Sequence, residues 1–222
     1  MLVVAAHPDD EVLGCGGTIA RVAAAQPVYI AILGEGVSSR YESRADADPL
    51  IERLRVQSRD VAASLGAKEV VLLGFPDNRF DEIALLDIVK RIERLLGEVG
   101  PRSVFTHHPG DLNIDHAITF RAVLTATRPV PGAVWRELYT FEIPSSTEWA
   151  FQRFEPSFRP NVFIDISTTI DEKIRAMDHY EGERRMFPHP RSPEALRASA
   201  QRWGSVVGLE YAEPFELVRS VR

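Results

Sequence analysis

The chain has one cysteine, Cys15, in 222 residues. That excludes an internal disulfide and a zinc site built from several thiolates, so any metal must be held by histidine and carboxylate, and a reducing, cytoplasmic setting is expected. Basic charge is also short: 26 Lys and Arg stand against 32 Asp and Glu, a formal net charge of -6. Nucleic acid and anionic membranes call for clustered Lys and Arg, so neither is an expected partner. No apolar run reaches spanning length, and the N-terminal apolar stretch lacks a basic flank and meets charge at once, unlike a signal peptide. Internal repeats and low-complexity linkers are missing too. What is there, 45% hydrophobic and 26% charged residues, suffices to bury a full core, and 1–222 reads as a single domain.

Short apolar runs alternate with longer helical patterns. Strands are expected near 2–6 (LVVAA), 28–33, 69–74, 103–108, 137–143 and 161–166, each short and apolar enough to be covered on both faces. Helices are expected near 17–25, 49–66, 81–97, 115–127, 169–180 and 193–203, followed by a last strand in AEPFELV. This alternation predicts an α/β fold: a three-layer, Rossmann-like, doubly wound and mostly parallel sheet with helices on both faces. The loops 34–48 and 144–160 are long, polar and aromatic, as the walls of a binding site are.

In an open sheet of this kind ligands sit beyond the carboxyl ends of the strands, where strand order reverses between the first and fourth strands. Two charged clusters fall there. The first strand runs into His7-Pro8-Asp9-Asp10-Glu11, and the fourth into His107-His108-Pro109-Gly110-Asp111-Leu112-Asn113-Ile114-Asp115-His116. Carboxylates packed so densely repel one another unless a cation compensates. His7 and Asp10 are three apart, so in a turn entering a helix both can face one point, and His116 can complete a set of two imidazoles and a carboxylate that leaves a position for water. Zinc suits such ligands, as do iron, manganese and cobalt. Asp9, on an adjacent position, is placed to take a proton from that water.

Plainer readings stand beside these. HPDD is also a Pro-containing turn with an Asp N-cap. His107 and His108 extend a strand, where a core role is equally open. The Gly14-Cys15-Gly16-Gly17 stretch breaks the dinucleotide pattern at Ile19, so close packing of the first helix on the sheet is its expected use, with Cys15 a small buried residue.

AHPDDE after a first strand, with a downstream Asp115-His116 after the fourth, resembles the PIG-L/LmbE-like zinc-dependent N-acetylglucosaminyl deacetylases over nearly the whole chain. The resemblance implies one Zn2+ per subunit on His7, Asp10 and His116, Asp9 as general base, and Asp115 orienting a ligand from behind. Arg55, ahead of AASLG, and Asp77, closing GFPD, match family segments that contact substrate, although Gln57 stands where the family's helix has an acid. Many members have a first His in the second motif that stabilises the oxyanion, and this chain has Asn113 there. Asn113 can donate a hydrogen bond but carries no charge. The replacement is expected among His107, His108 and the segment 187–192; His189 is the choice, with Arg191 and His108 as further substrate contacts. In some relatives such a His comes from a neighbouring subunit, so a homo-oligomer is a further expectation. The function implied is removal of an N-acetyl group from a small molecule carrying a GlcNAc-like amino sugar. The alternatives are hydrolysis of another N-acyl group on a glycoside or glycopeptide-like scaffold, and carbohydrate binding without turnover.

Overall fold

The computed structural model describes the backbone of residues 1–222 and every side chain except that of Arg44. Seven strands form one sheet: β1 (Leu2–Ala5), β2 (Tyr29–Gly34), β3 (Glu69–Phe75), β4 (Ser103–His107), β5 (Glu137–Phe141), β6 (Val162–Asp165) and β7 (Ala212–Ser220), in the order β3-β2-β1-β4-β5-β7-β6. β1 to β5 are parallel; β7 runs antiparallel to β5 and to β6. The expected doubly wound sheet is thus present, and strand order reverses between β1 and β4. Those two strands pair directly, Leu2 opposite Val104 and Val3 opposite Phe105.

The six α-helices are α1 (Asp10–Ala23), α2 (Arg44–Ser64), α3 (Leu85–Val99), α4 (Ile114–Ala126), α5 (Ile170–His179) and α6 (Pro193–Val207). Val3, Ile30 and Ile32 pack beneath α1, α2 and α5, whereas Leu2, Val4, Ala31 and Leu33 pack beneath α3 and α4. Burial on both faces is why these strands read as unbroken apolar runs. No helix among the described residues is long and apolar enough to cross a membrane.

Three helix starts differ from the sequence expectation. α2 begins at Arg44, ahead of Pro49, because the Ser43 side chain caps it by accepting from the Asp46 amide. α1 begins at Asp10, well before Gly17, because Asp9 turns the chain out of the strand at φ 102 and its carbonyl accepts from Val12 and Leu13. α3 begins at Leu85, because residues Phe80–Glu82 form a separate 3-10 turn. The glycines of α1 serve close approach. A Cβ on Gly14 would overlap the Phe141 ring, and one on Gly17 would lie 2.8 Å from Ile166 Cγ2.

α1 is also broken at Cys15 (φ -151), and a buried ion pair holds the break. Glu213 accepts from the amides of Gly17 (3.0 Å) and Thr18 (2.7 Å), while Lys173 Nζ donates to the Leu13 carbonyl (2.8 Å) and to Glu213 Oε1 (2.6 Å). Removing one partner of such a pair strands a buried charge. Lys173→Met is expected to destabilise by about 3–5 kcal/mol, read as a lower urea midpoint at unchanged slope. A midpoint equal to the parent's would show that water reaches Glu213.

Candidate metal and catalytic centre

The ends of β1 and β4 are stitched together where the two charged clusters meet. The Ala6 amide donates to His107 Nε2 at 2.8 Å, so that nitrogen is an acceptor and the ring is neutral. Burial, first of all, pushes the His107 pKa well below its ordinary value. Its ring stacks on His116 at 4.0 Å between centroids, behind the site.

His116 lies in the first turn of α4, where Asn113 caps the helix by accepting from the Asp115 amide at 2.8 Å. Its Nε2 is 3.3 Å from Asp10 Oδ2 and its Nδ1 3.0 Å from Asp111 Oδ1. Burial opposes a charge there, but Asp10 and Asp111 outweigh it and push the imidazolium up to about 9. His7 places Nδ1 3.4 Å from Asp10 Oδ2 and Nε2 2.9 Å from Asp115 Oδ2. Asp115 is itself fixed, accepting from the amides of Asn78 (2.7 Å) and Phe80 (3.0 Å).

Two buried trios bring their ligand atoms within 4.8 Å of one another: His7, Asp10 and His116, and His7, Asp77 and Asp115. Asp10 accepts from the His7 amide (2.8 Å), but donor type separates the trios: the first offers two imidazoles and one carboxylate, the second one imidazole and two carboxylates. In the second trio Asp115 is engaged by two amides, and Asp77 accepts from the Ser39 hydroxyl and from Asn78 Nδ2 (3.2 Å). In the first, His116 keeps Nε2 toward Asp10 while a carboxylate holds its other nitrogen, the arrangement in which outer carboxylates orient metal-bound imidazoles. Asp111 is held for that task by the hydroxyls of Ser146 and Thr147 (2.6 Å to the latter). Burial raises its pKa, but His116 and the two hydroxyls bring it down to about 2. The first trio therefore fits a divalent transition metal.

Asp9 is 3% exposed and held in the left-handed region at φ 102. Such a backbone persists for a non-glycine residue only when its surroundings over-determine it. Here the Asp9 amide donates to Glu11 Oε2 (3.1 Å), and Glu11 Oε1 accepts from the buried Tyr180 hydroxyl (2.6 Å). Arg191 Nη1 donates to Asp9 Oδ2 at 2.6 Å. Burial first, and against it Arg191, bring the Asp9 pKa up to about 7; burial likewise brings Glu11 up to about 8. Asp9, Asp10, His7 and His116 form the floor of a cavity of about 510 Å³.

Asp77, Asn113 and Arg191 line the same cavity. Three expected contacts do not. Arg55 pairs with Glu52 at 2.5 Å, because α2 turns Ile51 and Leu54 to the core and leaves Arg55 on its flank. His108 is buried with Nε2 2.7 Å from the Pro156 carbonyl and its ring on Phe158. His189 packs edge-on against Trp149 outside the lining, and its Nδ1 accepts from the Arg191 amide (3.1 Å). Sequence reading passed over Arg40, Trp149 and Glu183, which also line the cavity. Arg40 and Trp149 lie in the two long loops singled out as walls; Asp111 and Glu11 lie inside the quoted motifs. Glu183 carried no signal.

Comparison with known proteins fits this centre. The family model described as PIG-L: GlcNAc-PI de-N-acetylase matches residues 2–127. The chain belongs to the PIG-L family. It is 31% identical over 173 residues to the uncharacterized deacetylase YaiS of Escherichia coli (strain K12), covering 75% of this chain and 81% of that one. It is 25% identical over 231 aligned positions to the diacetylchitobiose deacetylase of Thermococcus kodakarensis, covering 100% of this chain and 84% of that one. Among solved structures, GalB, the 4-carboxy-2-hydroxymuconate hydratase of Pseudomonas putida KT2440, shares the fold at a TM-score of 0.77 and 23% identity over 100% of this chain and 96% of that one. That likeness concerns the fold alone.

Proposed function

We propose that this PIG-L chain is a metal-dependent hydrolase that removes the N-acetyl group from a small molecule carrying a GlcNAc-like amino sugar. The observation that carries the reading is Asp9. A protein that only binds sugar, or that uses the metal only for structure, needs no strained, buried carboxylate on the cavity floor beside the ligand trio. The names of the family and of the Thermococcus relative support the amino-sugar amide as substrate class.

His7, Asp10 and His116 would hold Zn2+ or another divalent transition metal, which supplies Lewis acidity to a carbonyl and lowers the pKa of a water. Asp9 accepts the proton of the attacking water as the oxygen–carbon bond forms, and returns it to the amide nitrogen as the carbon–nitrogen bond breaks, leaving acetate and a free amine. Asp115, at 2.9 Å from His7 Nε2, and Asp111, ion-paired with His116 Nδ1 at 3.0 Å, orient the two rings. Asp77 offers a carboxylate acceptor for sugar hydroxyls, and the half-exposed Trp149 offers an apolar wall.

Acetate release from a panel of N-acetyl amino sugars and their glycosides, with and without chelator, tests this. Release that a chelator abolishes and a divalent metal restores is expected. A metal-loaded protein that frees other acyl groups but never acetate would move the reading to a different N-acyl hydrolase.

A further inference from the structure

We propose that Arg191 is the catalytic cation that pairs with the oxyanion of the reaction, the task for which Asn113 is unsuited. The inference rests on the deacetylase reading above.

The amide of Asn113 is already engaged. Its Oδ1 caps α4 and its Nδ2 donates to Asn78 Oδ1 at 3.0 Å, so turning toward a substrate would unmake the helix start that carries His116. The three histidines outside the ligand trio that could replace it face elsewhere, His107 toward the Ala6 amide, His108 toward Pro156 and His189 toward Trp149. Among the described residues, the only other side chains lining the cavity with a permanent positive charge are Arg40 and Arg191. Arg40 is half exposed and pairs with Glu183 at 2.7 Å. Arg191 is mostly buried and touches the base.

That contact bounds the distance that matters. The base must touch the attacking water and the water the carbonyl carbon, each over about 3 Å, so a guanidinium already on Asp9 starts no more than two such contacts, beyond its own, from the carbonyl carbon. The planar fork permits the approach without moving the side chain far: Nε donates to Ser145 Oγ (2.7 Å) and Nη1 to Asp9 and Glu183 (3.0 Å), while Nη2 has no partner among the described residues. Charge flow matches this placement. As the proton passes from water to Asp9 and the carbonyl π pair moves onto oxygen, one negative charge leaves the carboxylate and one appears on the neighbouring oxyanion. A cation between them keeps a partner throughout.

The segment Phe187–Ser192 is built to deliver this side chain. The Ser192 amide donates to the His189 carbonyl (2.9 Å) and the Arg191 amide to His189 Nδ1, so His189 closes the turn. Ser192 then caps α6 by accepting from the Ala195 amide (3.1 Å). Glu183 ties the segment to the opposite wall, bonding both Arg191 and Arg40.

Arg191→Gln and Arg191→Lys, assayed by acetate release with metal content measured in parallel, test the proposal. Loss of one oxyanion donor is expected to lower kcat about 100- to 1000-fold in Arg191→Gln, with KM within about threefold and metal retained. Binding of a phosphonamidate analogue of the N-acetyl sugar, which mimics the tetrahedral species, should weaken by a similar factor while affinity for the N-acetyl sugar itself holds. Ethylguanidinium added to Arg191→Gly should restore part of the rate, which a merely structural role would not allow. Unchanged kcat with raised KM, or a larger kcat loss in His189→Ala than in Arg191→Gln, overturns the assignment while leaving the deacetylase reading intact. A parent enzyme that neither releases acetate nor binds the phosphonamidate overturns both.

Discussion

Asp9→Asn is expected to keep its metal and its affinity for the N-acetyl sugar while losing turnover by about 100- to 10,000-fold, the range that general-base catalysis supplies. The substitution is chosen for the backbone as much as for the side chain. Asp9 sits at φ 102, where asparagine is among the few residues that enter without much added strain, so the start of α1 and with it Asp10 should survive. The amide oxygen can still accept from Arg191, and the Asp9 backbone amide keeps its bond to Glu11. What is removed is the capacity to take a proton. Steady-state acetate release, metal analysis and equilibrium binding of the substrate check the three parts separately. Near-parent turnover would remove Asp9 from the chemistry; loss of metal would make it a ligand and leave the base to be found, with the buried Glu11 next in line.

Much of the fold is legible in the residues themselves. Runs such as LVVAA and VYIAIL read as doubly covered strands because they are, and the reversal of strand order between β1 and β4 brings His7 and His116 together from over a hundred positions apart. Helix starts were less legible. The one at Asp10 depends on a positive φ at Asp9, and a sequence with four small residues at 14–17 draws attention to the wrong place. The antiparallel return of β7 against β5 leaves no mark in residue types, since AEPFELV reads as a strand whichever way it runs.

The rim of the site was harder still. His189 and Arg191 sit two apart in a proline-flanked stretch, and chemistry alone favours the imidazole as the working group. Only the turn geometry shows the ring closing the loop and the guanidinium entering the cavity. Glu183 was invisible because its role depends on two arginines at positions 40 and 191, a three-way contact that no local pattern encodes. Arg55 shows the converse. A match to a motif put it at the substrate, but the face that α2 turns to the sheet keeps it on the helix flank.

The second large effect is expected from the ligand trio. His116→Ala should reduce bound metal from about one ion per chain to almost none and abolish acetate release. Losing a ligand outright weakens metal binding by more than the roughly 10- to 100-fold that loss of an outer partner produces. Asp111→Asn provides that smaller step, because Asp111 touches only the far nitrogen of the ring, at 3.0 Å. The two variants should therefore fall in order, His116→Ala below Asp111→Asn below the parent, in metal retained after dialysis against a weak chelator. A general loss of stability would blur that order, and Lys173→Met separates the causes. Its ion pair with Glu213 stabilises the break in α1 and touches none of the trio, so at a temperature where all variants are folded it should hold metal as the parent does. Full occupancy in His116→Ala would take His116 out of the ligand set and move the site toward His7, Asp77 and Asp115, the other trio whose ligand atoms converge. Equal losses in His116→Ala and Asp111→Asn would instead mean that the orientation of the imidazole, more than its presence, limits metal binding.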